Sequence, residues 1–245
     1  MKQHIDTIPI WDAFRADTEC PLCHIHRASE GAYVENFLGA SVMEPSTRVE
    51  VNEKGFCLNH FQMMFSAGNR LGLALITDTY MRETIKKLAA RASNQPSGKR
   101  SFFAKQGAAG SENGYADITD SCILCERLNN AMERYAYTIV HMWQHENEFR
   151  KAFLTSKGFC IPHFAQMLKT APEHLNGKLL PEFIDEITKL ETNSLNRVES
   201  DLEWFTLKFD YRNNDKPWGE SRDAVERAIL KLRGQMAGDK PDKKH

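Results

Sequence analysis

The sequence predicts an all-α fold made of duplicated helical-bundle units, each tied by a Cys3His metal site. Three observations predict it. Apolar residues recur at helical spacing along most of the chain, and strict strand alternation is scarce. One cysteine–histidine pattern occurs twice in the same register. Those two copies use all six cysteines of the chain.

The first copy reads CPLC at Cys20–Cys23 and GFCLNH from Gly55 to His60; the second reads CILC at Cys122–Cys125 and GFCIPH from Gly158 to His163. The gap between Cys23 and Cys57 holds 33 residues and that between Cys125 and Cys160 holds 34, so one insertion aligns the units. Tyr33 then matches Tyr135, Phe61 matches Phe164, and Met64 matches Met167. Of nine histidines, only His60 and His163 recur in register.

Within each copy, one helix is expected to begin near CxxC, and a shorter segment leads to a tight Gly-Phe-Cys turn. A further helix starts at CxxH, and a long helix follows. Leu71, Leu75, Ile76, Thr79, Ile85 and Leu88 mark the stripe of the first long helix. Ile184, Ile187, Leu190, Val198, Leu202, Phe205 and Phe209 mark the second, with Pro181 early in it. Ser221 is the expected N-cap of a last helix with apolar positions Ala224, Val225, Ala228, Ile229 and Leu232, and Gly234 its stop. The expected organisation is 11–92, first metal-binding repeat; 93–117, a Gly-, Ser- and Asn-rich linker or surface loop; 118–210, second metal-binding repeat; and 211–245, a C-terminal loop, helix and frayed charged tail.

Zinc takes four N or S ligands in a tetrahedron, and two cysteines three positions apart can reach one ion from a single turn. The expected ligands are Cys20, Cys23, Cys57 and His60 in the first copy, and Cys122, Cys125, Cys160 and His163 in the second, giving two zinc ions per chain. Helix starts favour thiolate, and Gly55 and Gly158 permit the sharp turn before the third ligand.

The same residue types have competing uses. Three thiolates and a histidine can also carry an iron–sulfur cluster, the alternative cofactor. A thiol–disulfide oxidoreductase would place CxxC after a strand and leave CxxH unexplained. CPLCH matches haem attachment by letter, but the second copy has Glu126 where the first has His24. His141 and His145 stand four apart, a spacing that suits a solvated helix face better than a metal pair. The segment Asp210, Tyr211, Arg212, Asn213, Asn214, Asp215 with Trp218 is either a polar binding loop or a turn pinned by its tryptophan.

The formal net charge of −1 gives no field for general nucleic-acid binding. No apolar run spans a bilayer, and Met1–Cys20 lacks the pattern of an export signal, so a cytoplasmic protein with reduced thiols is expected. No phosphate loop, nucleophile elbow or HExxH occurs, and no catalytic residue is assigned. The expected role is a scaffold or partner-binding protein; the alternative is a redox protein or an enzyme using the C-terminal polar loop.

The twin CxxC…GFCxxH units, followed by KFDYRN and PWG, resemble an uncharacterised bacterial domain-of-unknown-function family. The likeness runs roughly from Cys20 to Gly234. It implies the metal sites and the unity of the C-terminal segment with the repeats, and supplies no activity.

Overall fold

The computed structural model describes residues 6–93 and 121–234. Within them the protein is all helix, with no strand. The helices are α1 (Thr7–Arg15), α2 (Pro21–Leu38), α3 (Pro45–Lys54), α4 (Leu58–Ser66), α5 (Arg70–Ser93), α6 (Ile123–His145), α7 (Asn147–Thr155), α8 (Ile161–His174), α9 (Leu179–Leu207) and α10 (Ala224–Arg233). Short 3-10 turns lie at Ala40–Met43, Tyr211–Asn213 and Gly219–Asp223. The order anticipated for each copy is present: α2–α3–α4–α5 in the first and α6–α7–α8–α9 in the second. The expected linker falls outside the described residues except for Ser93, which ends α5, and so does the charged tail.

The chain forms two compact units. Unit 1 comprises Met1–Ala28 and Asn130–His245, and unit 2 comprises Ser29–Asn129. The boundaries fall inside α2 and α6, so each unit draws on both sequence copies.

The core of unit 1 is aromatic. Phe149, Phe153, Phe159 and Phe183 are fully buried. Phe153 lies 5.8 Å from both Phe159 and Phe183, and Phe14 meets Phe149 edge-on at 4.9 Å. In unit 2, Phe56 meets Phe37 at 5.3 Å and Phe61 at 5.5 Å. The phenylalanine of each Gly-Phe-Cys turn is thus the plug of its own core, which holds the neighbouring cysteine in place.

Three patterns differ from expectation. On α5 only Ile76 of the expected stripe is fully buried; Leu71, Leu75, Ile85 and Leu88 are exposed. On α10 the buried face is rotated: Ala224 and Lys231 are buried, while Ile229 and Leu232 are exposed. Ser221 does not cap α10. A 3-10 turn precedes that helix, and the Ser221 hydroxyl donates to the Trp218 carbonyl. Gly234 does end α10, at φ 87°.

Candidate metal centres

The eight expected ligands gather into two clusters, but with exchanged partners. One cluster is Cys20, Cys23, Cys160 and His163; the other is Cys57, His60, Cys122 and Cys125. The CxxC of each copy therefore meets the CxxH of the other, whereas the sequence reading had paired them within a copy. Helix lengths explain the exchange. α2 is about 27 Å long and α3 only about 15 Å, so α3 alone does not offset the distance that α2 carries the chain from Cys20–Cys23. Likewise α6 is about 35 Å long and α7 only about 14 Å. The first cluster lies wholly in unit 1 and the second wholly in unit 2.

Local structure places each donor. Cys57 and Cys160 are the N-cap residues of α4 and α8, in extended conformation, so their sulfurs sit at helix starts where free N–H groups favour anions. His60 and His163 follow one turn later on the same face. In both CxxC turns the second cysteine's N–H points at the first cysteine's sulfur: Cys23 N to Cys20 Sγ at 3.4 Å, and Cys125 N to Cys122 Sγ at 3.5 Å. Gly55 and Gly158 adopt φ of 64° and 75°. A Cβ at Gly55 would stand 2.3 Å from the Tyr80 ring, and one at Gly158 would stand 2.8 Å from Glu191 Oε2. Both turns require glycine.

The clusters have the size of one tetrahedral ion. An ion about 2.3 Å from sulfur and about 2.0 Å from nitrogen sets S···S at about 3.8 Å and S···N at about 3.5 Å. In the unit 1 centre, Cys160 Sγ is 3.8 Å from Cys20 and 3.6 Å from Cys23, and His163 Nδ1 is 3.2–3.4 Å from all three sulfurs. In the unit 2 centre, Cys57 and Cys125 are 3.8 Å apart, and His60 Nδ1 is 3.2–3.4 Å from the three sulfurs. The cysteines are free thiols. All four ligand atoms of each cluster lie within 4.8 Å of one another.

The electrostatics call for a cation. Burial pushes the Cys20 thiol well up, and its neighbours Cys160 and Cys23 add to this. Cys160 is held far down by hydrogen bonds from Cys20 and Cys23. In unit 2, burial and the adjacent Cys122 push Cys125 up to about 12. Burial also raises Cys122, but hydrogen bonds from His60 and from backbone N–H groups outweigh it and bring Cys122 to about 6. Burial lowers His60, yet its bonds to Cys122 and Glu30 raise it to about 10. The unit 1 pocket thus favours a thiolate at Cys160 and opposes one at Cys20, and the unit 2 pocket favours one at Cys122 and opposes one at Cys125. A bound divalent cation would let all three sulfurs ionise.

The surroundings of the two centres differ. In unit 2, Nδ1 of His60 faces the sulfurs and Nε2 lies 3.1 Å from Glu30 Oε1, so with a metal on Nδ1 the Nε2 proton would be donated to Glu30. The turn is tied to CxxC by backbone: Ile123 N donates to Gly55 O at 3.1 Å, and Ser121 Oγ donates to Lys54 O at 2.7 Å. In unit 1 the residue matching Ile123 is Pro21, which has no N–H. There the fully buried Lys231 donates to the carbonyls of Glu19, Lys157 and Phe159, joining the residue before Cys20 to the turn before Cys160. Glu191 Oε2 accepts from Phe159 N at 2.7 Å, and Glu19 pairs with Arg197. Burial lowers the Lys231 pKa while Glu191 and Glu19 oppose that, and burial raises Glu191.

Sequence reasoning missed Glu30, Glu19, Glu191, Arg197 and Lys231. None recurs between the copies, so the repeat gives them no signal. A lysine inside the expected last helix reads as surface until its partners are in view.

The remaining candidates lie outside both centres. The His141 and His145 rings lie 4.5 Å apart, tilted by 48°, on the exposed face of α6, as expected of a solvated face. Asp210 pairs with Arg212, and Lys208 Nζ donates to the carbonyls of Asn213, Asn214 and Lys216. Trp218 packs on Phe205 and Phe209 at 5.8 and 6.4 Å. Trp218, Lys208 and the Asp210–Arg212 pair thus pin the turn from within, while Tyr211 stays exposed.

No helix among the described residues is long and apolar enough to cross a membrane. No solved structure matches the chain. It is 25% identical over 201 residues to a protein of Caldicellulosiruptor sp. (strain Rt8B.4), described as an uncharacterized 23.9 kDa protein in the xynA 3' region. That match covers 82% of this chain and 86% of the relative. Residues 1–239 match the family of unknown function DUF6062, and the chain belongs to that family.

Proposed function

We propose that the protein is a non-catalytic scaffold holding two structural zinc ions, one in each Cys3His cluster, and that it works in the cytoplasm, where its six thiols stay reduced. The observation that carries the reading is the closeness of the ligand atoms, all within 4.8 Å in each cluster. Four protein donors fill a tetrahedron and leave no position for a substrate, the pattern of structural rather than catalytic zinc. An iron–sulfur cluster spreads its ligands over two or more irons, and donors this close suit one ion better.

The test is elemental analysis of protein purified without oxygen, with an absorption spectrum of the same sample. Two zinc ions per chain and no visible band support the reading. Iron with sulfide and a broad visible band that bleaches on reduction would replace it with a redox protein.

A further inference from the structure

Helix α5 carries two apolar faces. Gly72, Ile76 and Tyr80 turn toward its own unit, where α5 packs on α3 and α4. The other face is a seam at 3-4-3-4 spacing: Leu71, Ala74, Asp78, Met81, Ile85, Leu88. Every position on it is exposed, with Leu71 71%, Met81 58%, Ile85 59% and Leu88 41% accessible. Monomers scatter exposed apolar residues singly. A sustained 3.5-residue period is the signature of a coiled-coil seam, which needs a second helix.

We infer that this seam docks on the same seam of a second copy of the chain, antiparallel, making a two-fold dimer. The charges choose the occupant and the direction. Asp78 sits mid-seam with Arg82 one turn on, 3.1 Å away and well exposed. Parallel pairing would press Asp78 against its own copy. Antiparallel pairing sets Leu71 opposite Leu88, Ala74 opposite Ile85, and Asp78 beside Met81 and Arg82 of the second copy. Each carboxylate then meets a guanidinium from the other chain, twice by symmetry. A bilayer surface fits poorly, because an acid lies at the centre of the apolar face. Three heptads are short for free peptides, but α5 is already a packed helix of its unit, so little ordering cost remains. This gives the partner-binding part of the scaffold reading a surface, and needs the metal part only for the fold.

The experiment is sedimentation equilibrium of the full, metal-loaded chain at rising concentration, with metal content measured on the same samples. A dimer is expected. Ile85→Glu should make it monomeric with metal content and helicity unchanged. Arg82→Asp should raise the dimer dissociation constant about tenfold or more, and the double swap Asp78→Arg/Arg82→Asp should restore it. A metal-loaded monomer up to about 100 µM overturns the dimer and leaves the metal reading standing. So does a dimer indifferent to both single substitutions, or a monomer that cosediments with phosphatidylserine vesicles.

Discussion

Glu30 is a single carboxylate on α2, placed to accept from the nitrogen of His60 that faces away from the sulfurs. Removing such an orienting partner lowers metal affinity about 10- to 100-fold in known sites. Glu30→Ala should therefore weaken one of the two bound ions by that factor in a chelator competition, and leave the other unchanged. Equal weakening of both would mean that Glu30 acts through the fold. Exposure separates the centres further. Cys20 and Cys160 are fully buried, whereas Cys57 and Cys125 are half-buried. Alkylation in the presence of limiting chelator should label Cys57 and Cys125 first, as read by peptide mass spectrometry. The two turn glycines are the other residue-scale test. Gly55→Ala forces a side chain into positive φ and into the Tyr80 ring, and should cost about 1–3 kcal/mol in denaturant unfolding. A neutral result would contradict the turn geometry.

At the scale of the element, α10 closes unit 1 through one residue. Lys231 is fully buried among three carbonyls and near Glu19 and Glu191. Breaking a buried charge set by removing one member costs about 3–5 kcal/mol, so Lys231→Ala should destabilise unit 1 by that order. Hydrogen exchange should rise around residues 157–159. An unchanged exchange rate there would show that the clamp does not hold the turn.

Element type was legible in the sequence, because helix periods and the repeated CxxC and CxxH motifs are local signals. The direction of the faces was not. The apolar positions of α5 form two stripes, and periodicity alone cannot say which one turns inward. On α10 the buried face is rotated from the expected one to include Lys231, which is satisfied by carbonyls distant in sequence. The eight residues that gather into the two clusters were legible for the same local reason. Their partners were not, because pairing depends on how far α2 and α6 carry the chain compared with α3 and α7.

At the scale of the whole molecule, the exchange would make each bound ion a cross-link between the two sequence copies. Structural zinc sites are worth on the order of 10 kcal/mol at neutral pH, comparable to the whole stability of a domain. Chelation should therefore unfold the protein, with loss of helical circular dichroism that metal restores. Retention of full helicity without metal would mean that the aromatic cores suffice. Acidification should act like chelation, because protons compete with the metal for the thiolates and histidines.

The cross-linking itself is tested by metal stoichiometry in two double variants. Cys20→Ser/Cys160→Ser removes two ligands of one centre, while Cys20→Ser/Cys57→Ser removes one ligand from each. Exchanged pairing leaves one ion per chain in the first variant and none tightly held in the second. The opposite result, none in the first and one in the second, would mean that each copy binds its own metal, and the account would fail.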